Sequence, residues 1–187
     1  NELMKLKQAY SSTQFMLEFN HSNSMFKVLQ TMSIDGRNTS NDVAMSADAN
    51  GIFYTDVPSK SIIRQVHFEN TEYFVKEEYP AFDWEILDET KQIGQYTCYK
   101  AIAIKKMENG KSIPVEAWVA TSLPFNYGPA NYSGAGGLIL ELKTPVFIFK
   151  VSEIRLFDDE REIDLIDADQ ELISLSEWNA LFRRDRN

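Results

Sequence analysis

Gln95-Tyr96-Thr97-Cys98-Tyr99-Lys100-Ala101-Ile102-Ala103-Ile104, the pair Asn109-Gly110, and Ser112-Ile113-Pro114-Val115-Glu116-Ala117-Trp118-Val119-Ala120 decide the fold class of this chain. In each run apolar side chains recur at every second position, broken only by Lys100, the repeat of a strand with one buried face. Asn-Gly tolerates the positive φ values of a tight hairpin turn, so the two runs read as an antiparallel hairpin. The same alternation recurs at Gln14–Asn20, Ile62–Phe68, Phe82–Ile86 and Val146–Val151, with Asp35-Gly36 and Asn50-Gly51 as further turn pairs. Phe15, Leu17 and Phe19 should face inward, as should Ile62, Val66 and Phe68, and Phe82, Trp84 and Ile86. Roughly ten strands joined by short turns predict a mainly β fold: a curved antiparallel sheet, either a sandwich or a half-barrel.

Helix is expected only at the two ends. Leu3, Leu6 and Tyr10 lie at helical spacing. Near the other end, Ser174-Leu175-Ser176-Glu177 is a capping box opening Trp178-Asn179-Ala180-Leu181-Phe182, followed by Arg183, Arg184 and Arg186 at the negative end of the dipole. With 187 residues and no internal repeat, low-complexity tract or linker, residues 1–187 read as a single domain. Twelve Phe, eight Tyr and three Trp favour strands. A net charge of −9 argues against nucleic acid or anionic lipid as a partner. No apolar run is long enough for a transmembrane helix. The chain starts at Asn1 without a signal-type apolar region, so any targeting segment is expected upstream.

Cys98 is the lone cysteine, which excludes an internal disulfide and a cysteine-based zinc site. It shares a strand face with Tyr96, Ile102 and Ile104 and should be buried and inert. His21 falls in a polar turn and His67 should face outward. No Gly-x-Ser-x-Gly elbow accompanies them, so no catalytic residue is assigned. Gly128, Gly134, Gly136 and Gly137 cluster before a strand, without the lysine or helix that phosphate-binding loops require. From Asp158 to Glu171 there are eight carboxylates and one base. The spacing fails the calcium-loop pattern at Leu172 and Trp178, leaving a solvated acidic edge as the expectation. Scattered methionines suggest no copper site. No metal and no cofactor is expected.

The middle of the chain resembles the GLPGLI family of Bacteroidota. The resemblance rests on Trp84-Glu85-Ile86, Lys91-Gln92-Ile93-Gly94-Gln95-Tyr96-Thr97-Cys98-Tyr99-Lys100-Ala101, Ala117-Trp118, Pro124, Gly128-Pro129 and Gly134-Ala135-Gly136-Gly137-Leu138-Ile139, in this order. It covers about residues 84–142. Ala135-Gly136 stands where the family's eponymous motif has Leu-Pro, which makes this loop more flexible. The resemblance implies a periplasmic, outer-membrane-associated or cell-surface location, a signal peptide upstream, and a first strand outside this chain. It implies no enzymatic activity. Because family members often sit beside outer-membrane transporter genes, it also implies a protein partner in the envelope.

Residues 117–140 carry no charge across 24 positions and hold Trp118, Phe125, Tyr127 and Tyr132. Charge depletion with aromatic enrichment is the composition of an interface core, so these four are the candidate partner-binding residues. The same composition also fits a loop whose aromatics finish the protein's own core. Three functions follow as expectations: a non-enzymatic envelope protein that binds a partner protein, a carrier of a small apolar ligand or lipid on a curved sheet, and a hydrolase. An enclosed apolar cavity would mark the carrier.

Overall fold

A computed structural model describes residues 9–30, 39–107, 110–158, 161–166 and 169–184. Eleven strands in two sheets account for most of the described elements. The first sheet is a meander of β1 (Phe15–Phe19), β2 (Asn23–Val28), β3 (Ile52–Asp56), β4 (Ser61–Phe68) and β5 (Thr71–Glu78). It is extended by β11 (Leu172–Ser174), the one parallel partner, on β5. The second sheet is a meander of β6 (Glu85–Ile93), β7 (Tyr96–Lys106), β8 (Ser112–Ala120), β9 (Leu138–Lys143) and β10 (Ile148–Lys150). The sheets are not closed. Both give side chains to one core: Phe26, Phe53 and Ile62 from the first meet Ala101, Val115, Ala117, Ile139 and Leu142 from the second.

The hairpin expected from residues 95–120 is present as β7 and β8, paired from Tyr99↔Val119 to Lys106↔Ser112. Its inward faces differ from expectation on β7. Cys98 is fully buried, but the core-facing residues further along are Ala101 and Ala103, and Ile104 is 57% exposed. Loop and neighbouring-strand residues Leu123, Tyr127, Leu138 and Leu140 cluster with Cys98. Its burial therefore comes from tertiary packing and not from its own strand face.

The Phe82–Ile86 run is also corrected. Phe82 is buried and Trp84 half-buried, but β6 begins only at Glu85 and Ile86 is 46% exposed. β6 is an edge strand whose register slips between Ile86 and Thr90, and alternation there ceases to report a buried face. At Val146–Val151 the strand shrinks to Ile148–Lys150, because Thr144 Oγ1 accepts from the Val146 and Phe147 amides and holds a turn.

Helix is not confined to the ends. The described helical residues are α1 (residues 9–12), α2 (Thr39–Ser46) and α3 (Leu175–Arg184). The sequence of α2 is polar and small. It packs through Val43 and Ala44, and the turn after it through Ala47 and Ala49. α3 opens as expected: the Ser174 amide donates to Glu177 Oε2 (2.7 Å) and the Glu177 amide to Ser174 Oγ (3.2 Å). Trp178 then covers Val66 and Val75 on the part of the first sheet beyond the shared core. Leu3, Leu6, Asp35-Gly36, Asn109 and Arg186 lie outside the described residues.

Candidate functional site

Inward alternation on β4 runs Ile62, Arg64, Val66, so it places a guanidinium between two apolar cores. Arg64 Nε donates to Asn50 O (2.9 Å), Nη2 donates to Asn50 Oδ1, and Nη1 lies 3.8 Å from Asp48 Oδ1. Its cation also sits 5.2 Å from the Phe53 ring centroid. From the opposite sheet Lys105 pairs with the other oxygen of Asp48 and approaches Tyr132 Oη (3.5 Å). Desolvation pulls Lys105 down, but Asp48 and Tyr132 outweigh it and leave its pKa raised, so it is a committed cation. Burial lowers Arg64 against the pull of Asp48 and Glu77, without threatening its charge.

Glu77, two residues beyond fully buried Val75, completes the group. Its Oε2 accepts from Asn131 Nδ2 (2.7 Å), and desolvation raises its pKa. It stands opposite Ile62 in the β4–β5 ladder. An open cleft of about 1040 Å³ begins there, lined by β5, the 80–85 connection, β7, β8, Asn131 and the turn after β9. Its walls mix Pro80, Ala81, Phe82 and Ala103 with Lys76, Glu78, Asp83, Lys106 and Glu116.

The four aromatics expected to bind a partner are dispersed by the fold. Tyr127 and Tyr132 are each 1% exposed, packed as in a loop whose aromatics finish the protein's own core. Tyr132 stacks on Phe82 of the cleft wall (centroids 4.7 Å apart), with Lys105 beside it. Tyr127 belongs to the Cys98 cluster, and burial raises its phenol well above the ordinary range. Phe125 is half-buried against Phe19 (4.8 Å) and His21 (5.2 Å). Trp118 is half-buried beneath Lys91, whose cation lies 5.2 Å from its ring and 2.8 Å from Glu141 Oε2. Lys100, within β7, pairs with Glu89 and Glu116.

The 121–137 loop turns tightly for a physical reason. A side chain at Gly128 would collide with the Tyr132 carbonyl, and one at Gly134 (φ +84°) would lie 2.5 Å from Pro80 Cβ. Trp84 Nε1 donates to Ser133 O (2.9 Å) and ties the loop to the cleft wall.

His67 is exposed and pairs with Glu72 (3.2 Å), and neither histidine lines the cleft. Among the described residues, no three His, Cys, Asp or Glu side chains form a metal-binding group. The described part of the acidic stretch is exposed coil: Arg161 covers the Phe157 ring, and Asn20 Nδ2 donates to Arg161 O (3.0 Å). Asp159, Glu160 and Asp167 lie outside the described residues. Sequence reasoning missed Asp48, Arg64, Glu77 and Lys105. One signal was available, since Arg64 occupies an inward position in an otherwise apolar alternation.

A family described as "Protein of unknown function (Porph_ging)" matches the chain at residues 84–114 and 105–141. That span runs from the cleft wall through the loop to β9. No curated protein matches the chain. Two solved structures of PNGF-II, in C2 and P21 space groups, share its fold, with TM-scores of 0.57 and 0.56 at 10% and 12% identity. In both comparisons 94% of this chain is covered, but the chain spans only 30% of the PNGF-II chain. This chain is thus similar in fold to part of a longer protein, and similar in sequence, over its middle third, to a family of unknown function.

Proposed function

We propose that this chain is a non-catalytic domain of the bacterial cell envelope that docks a partner protein in the cleft between its two sheets. The carrying observation is the cleft itself: about 1040 Å³, open to solvent, with interspersed lysines and carboxylates on apolar walls. A mixed polar surface of that kind suits a protein segment better than an alkyl chain, which needs an enclosed apolar chamber. The carrier reading is therefore the weaker alternative, and nothing in the arrangement of His21, His67 and Cys98 favours a hydrolase. The envelope location rests on the resemblance of residues 84–142 to the GLPGLI family. Recurrence of the fold within a longer chain is in keeping with a domain that serves a larger assembly.

The test fills the cleft. Ala81, half-buried in its wall, is replaced by Trp, and tagged wild-type and Ala81→Trp chains are used to capture partners from native envelopes. A partner retained by the wild type and lost by the variant, at unchanged melting temperature, supports the reading. Equal capture by both places the docking surface elsewhere.

A further inference from the structure

The net charge of −9 hides a local inversion. Residues 102–114 and 143–150 carry Lys105, Lys106, Lys111, Lys143 and Lys150 against one acid, Glu108. Strand pairing brings both stretches to one end of the second sheet. Ile104 lies across from Pro114, Glu116 across from both Ile102 and Lys143, and Lys143 across from Ile148. Lys105 turns inward to Asp48, and Lys150 lies 4.0 Å from Glu141. Lys106 and Lys143 are exposed and form no ion pair among the described residues. Large apolar side chains stand exposed beside them: Ile104 and Met107 on and after β7, Val146 (72% exposed) in the β9–β10 turn, and Ile148 (52%) on β10. At physiological salt a charge is felt over about 8 Å, so the local balance and not the sum over the chain decides what this end attracts. The acidic stretch is tied at Arg161 to Asn20, next to Phe19, which clusters with Cys98 near the start of β7. The lysines stand at the other end of that eleven-residue strand, about 30 Å away.

Unpaired cations interspersed with apolar side chains at a sheet end suit an anionic lipid surface. Ammonium groups meet the phosphates while the apolar side chains enter the headgroup layer. An acidic protein surface would account for the lysines but not for Val146 standing out of its turn. We propose that this end of the second sheet docks the protein on an anionic phospholipid bilayer, with Lys106 and Lys143 on the phosphates and Val146, Ile148 and Met107 inserted. The cleft opens beside it and shares Ile104, Lys106 and Lys143, whereas Met107, Val146 and Ile148 lie outside the cleft lining.

The experiment is flotation of the full chain with unilamellar vesicles, either of phosphatidylcholine alone or of an equal mixture with phosphatidylglycerol. The protein should float with the mixed vesicles and stay behind with phosphatidylcholine, and salt raised to about 0.5 M should weaken the binding. Lys106→Gln combined with Lys143→Gln should lower the partition coefficient at least about tenfold, since each lysine at an anionic surface is worth about fivefold. Val146→Ser combined with Ile148→Ser should lower it about tenfold at unchanged melting temperature, because both side chains are already exposed. Lys60→Gln, in the exposed turn between β3 and β4, should change it less than about twofold. No binding, equal binding to both vesicle types, or no loss in the lysine variant overturns the proposal. Lysine-dependent binding that ignores Val146→Ser and Ile148→Ser overturns it as well, and leaves an acidic protein surface as the occupant. If vesicle binding fails while Ala81→Trp still abolishes partner capture, docking in the cleft stands and only the lipid surface falls.

Discussion

Tyr127→Phe is the most informative single substitution in the core. The Tyr127 hydroxyl is buried and has no hydrogen-bond partner within the protein, while its ring is packed among Cys98, Leu123, Leu138 and Leu140. A buried hydroxyl left unpaired costs about 1–3 kcal/mol, and removing the oxygen while keeping the ring leaves little void. The phenylalanine variant should therefore be more stable by about 1 kcal/mol. In a domain of this size that corresponds to a rise of roughly 2–4 °C in melting temperature. Tyr132 is the internal control, because its ring is equally buried but its Oη lies within bonding distance of Lys105. Tyr132→Phe loses that contact and should cost about 0.5–1.5 kcal/mol. Differential scanning calorimetry with urea titration reads both. The reasoning fails if Tyr127→Phe is destabilised by about 1 kcal/mol or more, because the hydroxyl would then hold a hydrogen bond, to a bound water for instance. Truncation to Ser is different in kind: removing the whole ring should cost about 3–5 kcal/mol, as core aromatic deletions do. The loop aromatic at 127 would then act through folding and not as a contact surface.

Gly134→Ala should destabilise by more than about 1 kcal/mol, since the position holds a left-handed φ and abuts Pro80; a variant as stable as wild type on thermal denaturation would contradict the loop geometry. Burial raises the Glu77 carboxyl above its ordinary 4.5, so folding takes up protons there, and the stability this contributes is present below pH 4.5 and lost as pH rises through the raised value. The melting temperature of Glu77→Gln should accordingly gain on wild type between pH 4 and pH 7, and a pH-independent difference would refute this. Burial also raises the Cys98 thiol, with Glu141 adding to the effect and Lys91 opposing it, so labelling by a thiol reagent at pH 8 should be slow until denaturant is added. Ser174→Ala removes the acceptor for the Glu177 amide and should cost about 1 kcal/mol, read by urea unfolding.

The sequence by itself determined the fold class, the β7–β8 hairpin and the start of α3, because each rests on interactions between neighbours in the chain. Alternation reports which strand face is apolar, Asn-Gly and glycine report φ, and Ser174 with Glu177 closes a cap across three residues. Only the tertiary structure decided which apolar faces are used. Ile86 and Ile104 alternate like core residues and are exposed, because β6 is an edge and the opposite face of β7 carries Ala101 and Ala103 into the core. The helix α2 was hidden for a related reason: small and polar side chains pack well only once a surface of matching shape is beside them. The loop aromatics showed their composition but not their direction, and the fold turns Tyr127 and Tyr132 inward. The candidate site was the least legible part. Asp48, Arg64, Glu77 and Lys105 come from four separate segments and two sheets, and no local pattern brings them together. Their juxtaposition follows from stacking one sheet on the other, and the cleft is walled by β5 of the first sheet and by β7 and β8 of the second.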